Sequence, residues 1–168
     1  AEHALSLALA LLRKLHSLPT HVRQGGWDYK QTRPIHSFRE TVYGIIGLGR
    51  IGRQGASKAK GLGMNVAAYD PYVDDDIFDA FGVTRHYDLA PFLAACDVVS
   101  IHAPLTDETY HLIDAEAISH MKPTAVIVNT ARGAIVDRVA VEEALTSGTI
   151  AGAGLDVLEV EPPQGDEP

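Results

Sequence analysis

The sequence predicts an α/β fold, a doubly wound parallel sheet in three αβα layers, and three observations carry that expectation. From Val42 onward, short apolar β-branched runs alternate with amphipathic helical stretches, the pattern of βαβ units. A glycine-rich turn, Gly47-Leu48-Gly49-Arg50-Ile51-Gly52, follows the first of these runs and opens a helix. A chain of 168 residues is also long enough to bury the core of one such domain.

Taken in order, Ala4 to Leu12 reads as a helix that is apolar almost all round, with Glu2 before it and Arg13-Lys14 after it. It is shorter than the ~20 residues of a membrane span and lacks the positive charge that precedes the apolar core of a signal peptide. Residues 1–16 are therefore expected to form a helix buried between domains or subunits. Residues 17–41 contain Pro19, Gly25-Gly26, Trp27, Pro34 and Phe38 without a clear period, and read as an irregular segment wrapped over the surface and pinned by its aromatics.

Residues 42–168 hold the βα repeats. The strand candidates are 42–46, 65–69, 83–86, 98–102, 125–129 and 150–155, short and mostly apolar as buried parallel strands are. Between them, Ile51, Ala56, Ala59 and Leu62 mark one helix face, and Leu89, Phe92 and Leu93 mark another that Asp88 could cap. Asp137 caps a third helix, with Val141, Ala144 and Leu145 facing inward and Gly148 closing it. His111 and His120 are expected on a helical segment of their own.

The charge balance is acidic: 22 Asp and Glu against 14 Lys and Arg give a net charge of -8. Such a surface repels a phosphate backbone or an anionic membrane, so neither nucleic acid nor membrane is expected as a partner. The single cysteine, Cys96, excludes an internal disulfide, and Leu93-Ala94-Ala95-Cys96-Asp97 reads as a helix end packed on a core. Absence of disulfides fits a reducing compartment, and the cytoplasm is the expected location. No metal-ligand spacing stands out, nor any nucleophile with a base beside it.

In the glycine turn, Gly47 permits the sharp reversal, Gly49 lets the backbone approach a pyrophosphate, and Gly52 lets helix and strand pack together. The helix N-terminus adds free N–H groups and the positive end of a dipole. Alone, this pattern is equally an ordinary strand-to-helix turn. Asp70, at the carboxyl end of the second strand, tips the balance, because an acid there accepts hydrogen bonds from a ribose. It also repels a 2′-phosphate, and Pro71, Tyr72, Val73 and Asp74 to Asp76 offer no cation in compensation. The reading is a Rossmann-type site for NAD in preference to NADP.

Three further stretches lie at strand carboxyl ends, where open α/β sheets place their ligands: Ile101-His102-Ala103-Pro104, Asn129-Thr130-Ala131-Arg132-Gly133 and Gly154-Leu155-Asp156-Val157. With the glycine turn, Asp70, Leu105-Thr106, Thr109 and Glu161-Pro162, this ordered set resembles the D-isomer-specific 2-hydroxyacid dehydrogenase family along the whole chain. The resemblance implies that Arg132 holds the substrate's carboxylate and carbonyl, for which a flat guanidinium fork is suited. It implies that Asp156 contacts the nicotinamide carboxamide. It implies that Glu161 pairs with a histidine, keeping that imidazole oriented and basic enough to take the hydroxyl proton near neutrality.

By the same resemblance, Arg50 and Ile51 lie at the pyrophosphate, Ala103 and Pro104 near the adenine, Thr109 near a phosphate or ribose, and Thr130 and Ala131 near the nicotinamide ribose. His102 lines the cofactor pocket, and Pro71 joins Asp70 among the cofactor-binding residues. Glu161 has a competing explanation, since Glu159, Asp166 and Glu167 surround it with an acidic tail that could simply be solvated.

The family's histidine belongs in a Pro-His motif one helix and one strand beyond Glu161, and none of the eight histidines here fills that place. The substrate domain is likewise expected outside this chain. The chain by itself is thus expected to bind NAD(H) without substantial turnover of a 2-hydroxy or 2-keto acid. Its first helix suggests a homodimer. The alternative is an NAD-regulated interaction protein resembling the C-terminal-binding-protein corepressors, which share the arginine and the glutamate.

Overall fold

Six strands form one wholly parallel sheet in the order β3-β2-β1-β4-β5-β6. They are β1 (Val42–Ile46), β2 (Asn65–Tyr69), β3 (Thr84–His86), β4 (Val98–Ile101), β5 (Val126–Asn129) and β6 (Gly152–Leu155). Each falls within a strand expected from the sequence. The order reverses between β1 and β4, which opens a crevice at their carboxyl ends. This computed structural model describes residues 1–28, 35 and 37–162; Pro34, Asp166 and Glu167, named above, lie outside them.

Helices α1 (Glu2–Leu12), α2 (Ser17–Arg23), α3 (Arg50–Gly61), α4 (Asp75–Phe81), α5 (Leu89–Ala95), α6 (Ala115–Ser119) and α7 (Arg138–Ser147) complete the described part. One face of the sheet is sealed by a core containing Phe92, Leu93, Ile101, Ile127, Ile135 and Val141, under α5, α6 and α7. The other is sealed by Tyr43, Ile45, Ala56, Ala59, Phe78 and Val128, joined by Ala4 and Ala8 of α1. Helix α1 packs on β5, β6 and α3, so it supplies part of this domain's own outer layer. Its leucines at 5, 7, 9, 11 and 12 are only partly buried. Among the described residues no helix is long and apolar enough to cross a membrane.

Several local expectations need correction. Residues 17–41 are not irregular throughout: α2 occupies Ser17–Arg23, and a 3₁₀ turn at Phe38–Glu40 is closed by a capping box from Ser37. Pro19 lies in the first turn of α2, where its missing N–H breaks no intrahelical bond. Phe38 packs against the core, but Trp27 is 90% exposed and pins nothing. Helix α4 was not foreseen; three aspartates at its start resemble a solvated loop, and Gly82 ends it in the left-handed region at φ 56°.

On α3 the buried stripe is Gly52, Gly55, Ala56 and Ala59, small residues at helical spacing that bring the helix close to the sheet. Ile51 and Leu62 flank it and stay exposed, as does Leu145 on α7. Asp88 precedes α5 without a side-chain capping bond. Asp137 does cap α7, accepting from Val139 N and Ala140 N, and Gly148 closes that helix at φ 74°. His111 stands in a turn at φ 48° instead of a helix, and His120 is the residue just after α6. Cys96 is fully buried after α5, and burial pushes its thiol up to about 12.

Candidate functional site

Gly47 ends β1 at φ 90°, in the left-handed region, and a Cβ there would lie 2.7 Å from Ala103 N. The turn is thus pressed against the chain leaving β4, a contact open only to glycine. A Cβ on Gly52 would lie 2.2 Å from the Gly47 carbonyl oxygen, so the start of α3 sits directly on the same turn. At Gly49 the situation is opposite. A Cβ would meet nothing within 4 Å, which leaves an unobstructed approach to the amino end of α3 and its free N–H groups.

Asp70 does more in this turn than its sequence position foretells. Its Oδ2 accepts from Leu48 N at 2.7 Å and its Oδ1 from Tyr72 N at 2.9 Å, so the carboxylate ties the glycine turn to the end of β2. A cavity of about 410 Å³ opens beside it, with Asp70, Pro71 and Tyr72 on one wall and Ala103, Pro104 and Thr109 on the other. The Thr109 hydroxyl donates to Pro104 O at 2.7 Å and accepts from Thr106 N at 2.8 Å, so it staples its own loop. Across the mouth, the Tyr72 hydroxyl donates to Glu108, a strap the sequence did not reveal.

On the other side of the amino end of α3, a cavity of about 610 Å³ gathers Ile51, His102, Thr130, Ala131, Arg132 and Asp156, with Ala103 and Pro104 common to both cavities. Buried Asn129 shapes this wall: its Oδ1 accepts from Ala131 N at 3.0 Å and its Nδ2 donates to Arg132 O at 2.9 Å. The Arg132 guanidinium donates from Nη1 to Ala131 O at 2.7 Å. Asp156 N remains paired with Asn129 O at 2.9 Å, while Asp156 Oδ1 stands 3.1 Å from His3 Nε2. His3 also lines this cavity, and sequence reasoning missed it because α1 brings it there from a distant part of the chain.

His102 hydrogen-bonds through Nε2 with the buried Ser100 hydroxyl at 2.9 Å, and burial pushes its pKa down to about 4. A neutral imidazole so weakly basic is a poor proton acceptor near pH 7. Arg50 and Ile51 open α3 beside the crevice. Glu161 closes a local turn, its Oε1 accepting from Leu158 N at 2.8 Å. Among the described residues it has no histidine partner; Glu159 does, its Oε2 lying 3.2 Å from His111 Nε2. No group of three or more His, Cys, Asp or Glu among the described residues is placed to hold a metal ion.

A dinucleotide suits this crevice, because two cavities flank one helix amino end whose approach at Gly49 is clear. Comparison with known proteins agrees. The family described as D-isomer specific 2-hydroxyacid dehydrogenase, NAD binding domain, matches residues 5–168. The chain is 43% identical over 168 residues to a D-3-phosphoglycerate dehydrogenase of Archaeoglobus fulgidus, covering all of this chain and 32% of that protein.

Among solved structures, a D-lactate dehydrogenase from Treponema pallidum superposes with TM-score 0.87 at 38% identity, covering 99% of this chain and 51% of that one. An NAD-complexed D-isomer specific 2-hydroxyacid dehydrogenase from Lactobacillus delbrueckii ssp. bulgaricus gives TM-score 0.86 at 33% identity, covering 94% and 47%. The chain spans about a third to about half of the length of the curated relatives it matches. In sequence, sheet order and crevice alike, it belongs to the NAD-binding domain family of the D-isomer specific 2-hydroxyacid dehydrogenases.

Proposed function

We propose that this domain holds NAD(H) across the crevice and forms the cofactor half of an enzyme that interconverts a small D-2-hydroxy acid and its 2-keto acid. The observation that carries this reading is the gathering of Arg132 and Asp156 in the cavity on the far side of the α3 amino end from Asp70. The bound nicotinamide supplies the chemistry of accepting or donating a hydride at C2 of the acid. The pyrophosphate rests on the N–H groups at the start of α3, by Arg50 and Ile51. Asp70 and Pro71 bound the adenosine ribose, with Ala103 and Pro104 on the opposite wall and Thr109 holding that wall's loop.

Thr130 and Ala131 line the place of the second ribose, and Asp156 orients the carboxamide. Arg132 presents a permanently charged fork to the substrate carboxylate and carbonyl. The proton acceptor is a histidine that Glu161 orients. Neither His102, held near pKa 4, nor His111, with both ring nitrogens facing carboxylates, is available for that role. The relatives named above are dehydrogenases, and no feature of the site favours the corepressor-like alternative over them.

Titration of this chain with NADH and NADPH tests the cofactor assignment. NADH binding with NADPH weaker by about 30-fold is expected, because Asp70, Asp107 and Glu108 set three carboxylates at the adenosine cavity and no Lys or Arg among the described residues lines it. Equal affinities overturn the preference, and absence of NADH binding overturns the assignment itself. We also place the protein in the cytoplasm as a homodimer joined through its leucine-rich first helix. A monomer in sedimentation at high concentration, or recovery outside the cytoplasmic fraction, counts against these two statements respectively.

A further inference from the structure

We propose that Glu159, clasped by His111 and Tyr110, is a positioning residue that fixes residues 156–161 against Arg132 and so sets where Asp156 meets the nicotinamide end of the cofactor. This rests on the NAD reading above. Beyond Asp156, residues 157–161 leave the sheet and belong to no helix or strand. Their backbone lies on the 3₁₀ turn Gly133–Ile135, immediately after Arg132. A Cβ on Gly133 would fall 2.0 Å from the Leu158 carbonyl carbon, so the two segments touch through a bare Cα.

Backbone contact alone leaves the segment free to slide, and Glu159 supplies the tether. Its Oε1 accepts from the Tyr110 hydroxyl at 3.2 Å, and its Oε2 lies 3.2 Å from His111 Nε2. The two partner rings stack with centroids 4.1 Å apart. His111 is held at φ 48°, a backbone region side-chain-bearing residues seldom occupy without support. The support comes from the same 3₁₀ turn, since His111 N donates to Ala134 O at 2.9 Å. Tether and tethered segment therefore share one platform, and Arg132 is its edge.

A histidine beside a carboxylate also resembles an acid–base pair, but this one is not placed for that role. His111 Nδ1 faces Asp137 Oδ2 at 4.0 Å while Nε2 faces Glu159, and neither His111 nor Glu159 lines the cavity holding Arg132. By contrast, among the described residues Glu161 bonds within its own turn alone, and Asp156 pairs with His3 on α1. Of these three acids, Glu159 is the one that ties the segment to the Arg132 platform.

The test compares NADH with ADP-ribose, which lacks the nicotinamide, on the unaltered chain and on Glu159→Ala, His111→Ala and the double variant. NADH affinity is expected to fall about 5-fold in each single variant and no further in the double, with ADP-ribose affinity unchanged within about twofold. Unchanged NADH affinity, or equal loss of both ligands, overturns the proposal. Hydrogen exchange of the ligand-free variants supplies a readout independent of the cofactor. Faster exchange confined to 157–161 supports the tether, and unchanged exchange there overturns it. Failure of the unaltered chain to bind NADH is a different result, which removes the NAD reading on which the proposal stands.

Discussion

The two cavities that meet at the amino end of α3 are built on different principles. The cavity beside Asp70, proposed for the adenosine, is closed upon itself: Asp70 spends both oxygens on backbone N–H groups, and the Thr109 hydroxyl is consumed within its loop. The cavity beside Arg132, proposed for the nicotinamide, keeps charge in reserve, with the Arg132 guanidinium bonded, among the described residues, to a neighbouring carbonyl alone and Asp156 half-exposed beside His3. The first is shaped before any ligand arrives, which lowers the ordering cost of binding. Under the proposed function the second carries groups whose partners would be the reacting molecules, where unspent charge does more for a transition state than for the ground state.

The largest effect expected from this contrast is at Arg132. In the complete enzyme, Arg132→Ala should lower kcat/KM by about 10³-fold, roughly 4 kcal/mol, as loss of one partner of a charge pair typically does. NADH binding by this chain should change less than about threefold in a fluorescence titration. Parallel losses of turnover and NADH affinity would show that the two cavities are not separable in this way.

His102, on the nicotinamide-side wall, gives a pH signature next in size. Its folded pKa is depressed to about 4 by burial, below the ~6.5 of an unfolded chain. Above pH ~6.5 neither state holds the proton and stability is flat. Below it the unfolded chain takes up a proton that the folded one refuses, so stability declines towards pH 4 and levels off beneath, a loss approaching about 3 kcal/mol. Denaturant titrations at pH 7 and pH 4.5 should show this decline, reduced in His102→Asn. An equal decline in that variant assigns the acid sensitivity to other groups.

The smallest effect sharpens the adenosine side. Asp70→Ala removes two hydrogen bonds to backbone N–H groups and should weaken NADH and ADP-ribose alike, by about tenfold or ~1.4 kcal/mol, measurable by calorimetry. A loss confined to NADH would mean that Asp70 acts on the nicotinamide half, against its place in the crevice.

The sequence was most informative where function depends on local chemistry. Gly47 and Gly52 are dictated by backbone contacts within one βα turn, and Asn129-Thr130-Ala131-Arg132 by a strand end and the bend after it. Elements with contradictory local signals were harder to read. Pro19 hid α2, and no helix is read from the sequence at the aspartates opening α4, although acids suit a helix start. Ile51 carries two readings, an apolar position on a helix face and a residue at the pyrophosphate, and its exposed side chain on the cavity wall agrees with the second. Least legible were His3 with Asp156 and His111 with Glu159, since each pair joins segments that only the tertiary fold brings together.

The placement of α1 bears on how the domain is made. Within this domain the helix leaves the ribosome before the strands it packs on most, since β5 and β6 begin only at Val126 and Gly152. Until those strands emerge, Ala4, Ala8 and the neighbouring leucines lack most of the sheet they cover. The closing contacts are among the longest in sequence, an arrangement that slows folding and lengthens exposure of apolar surface. A nascent chain paused before β5 would therefore present this leucine-rich helix to whatever chaperone attends the tunnel exit.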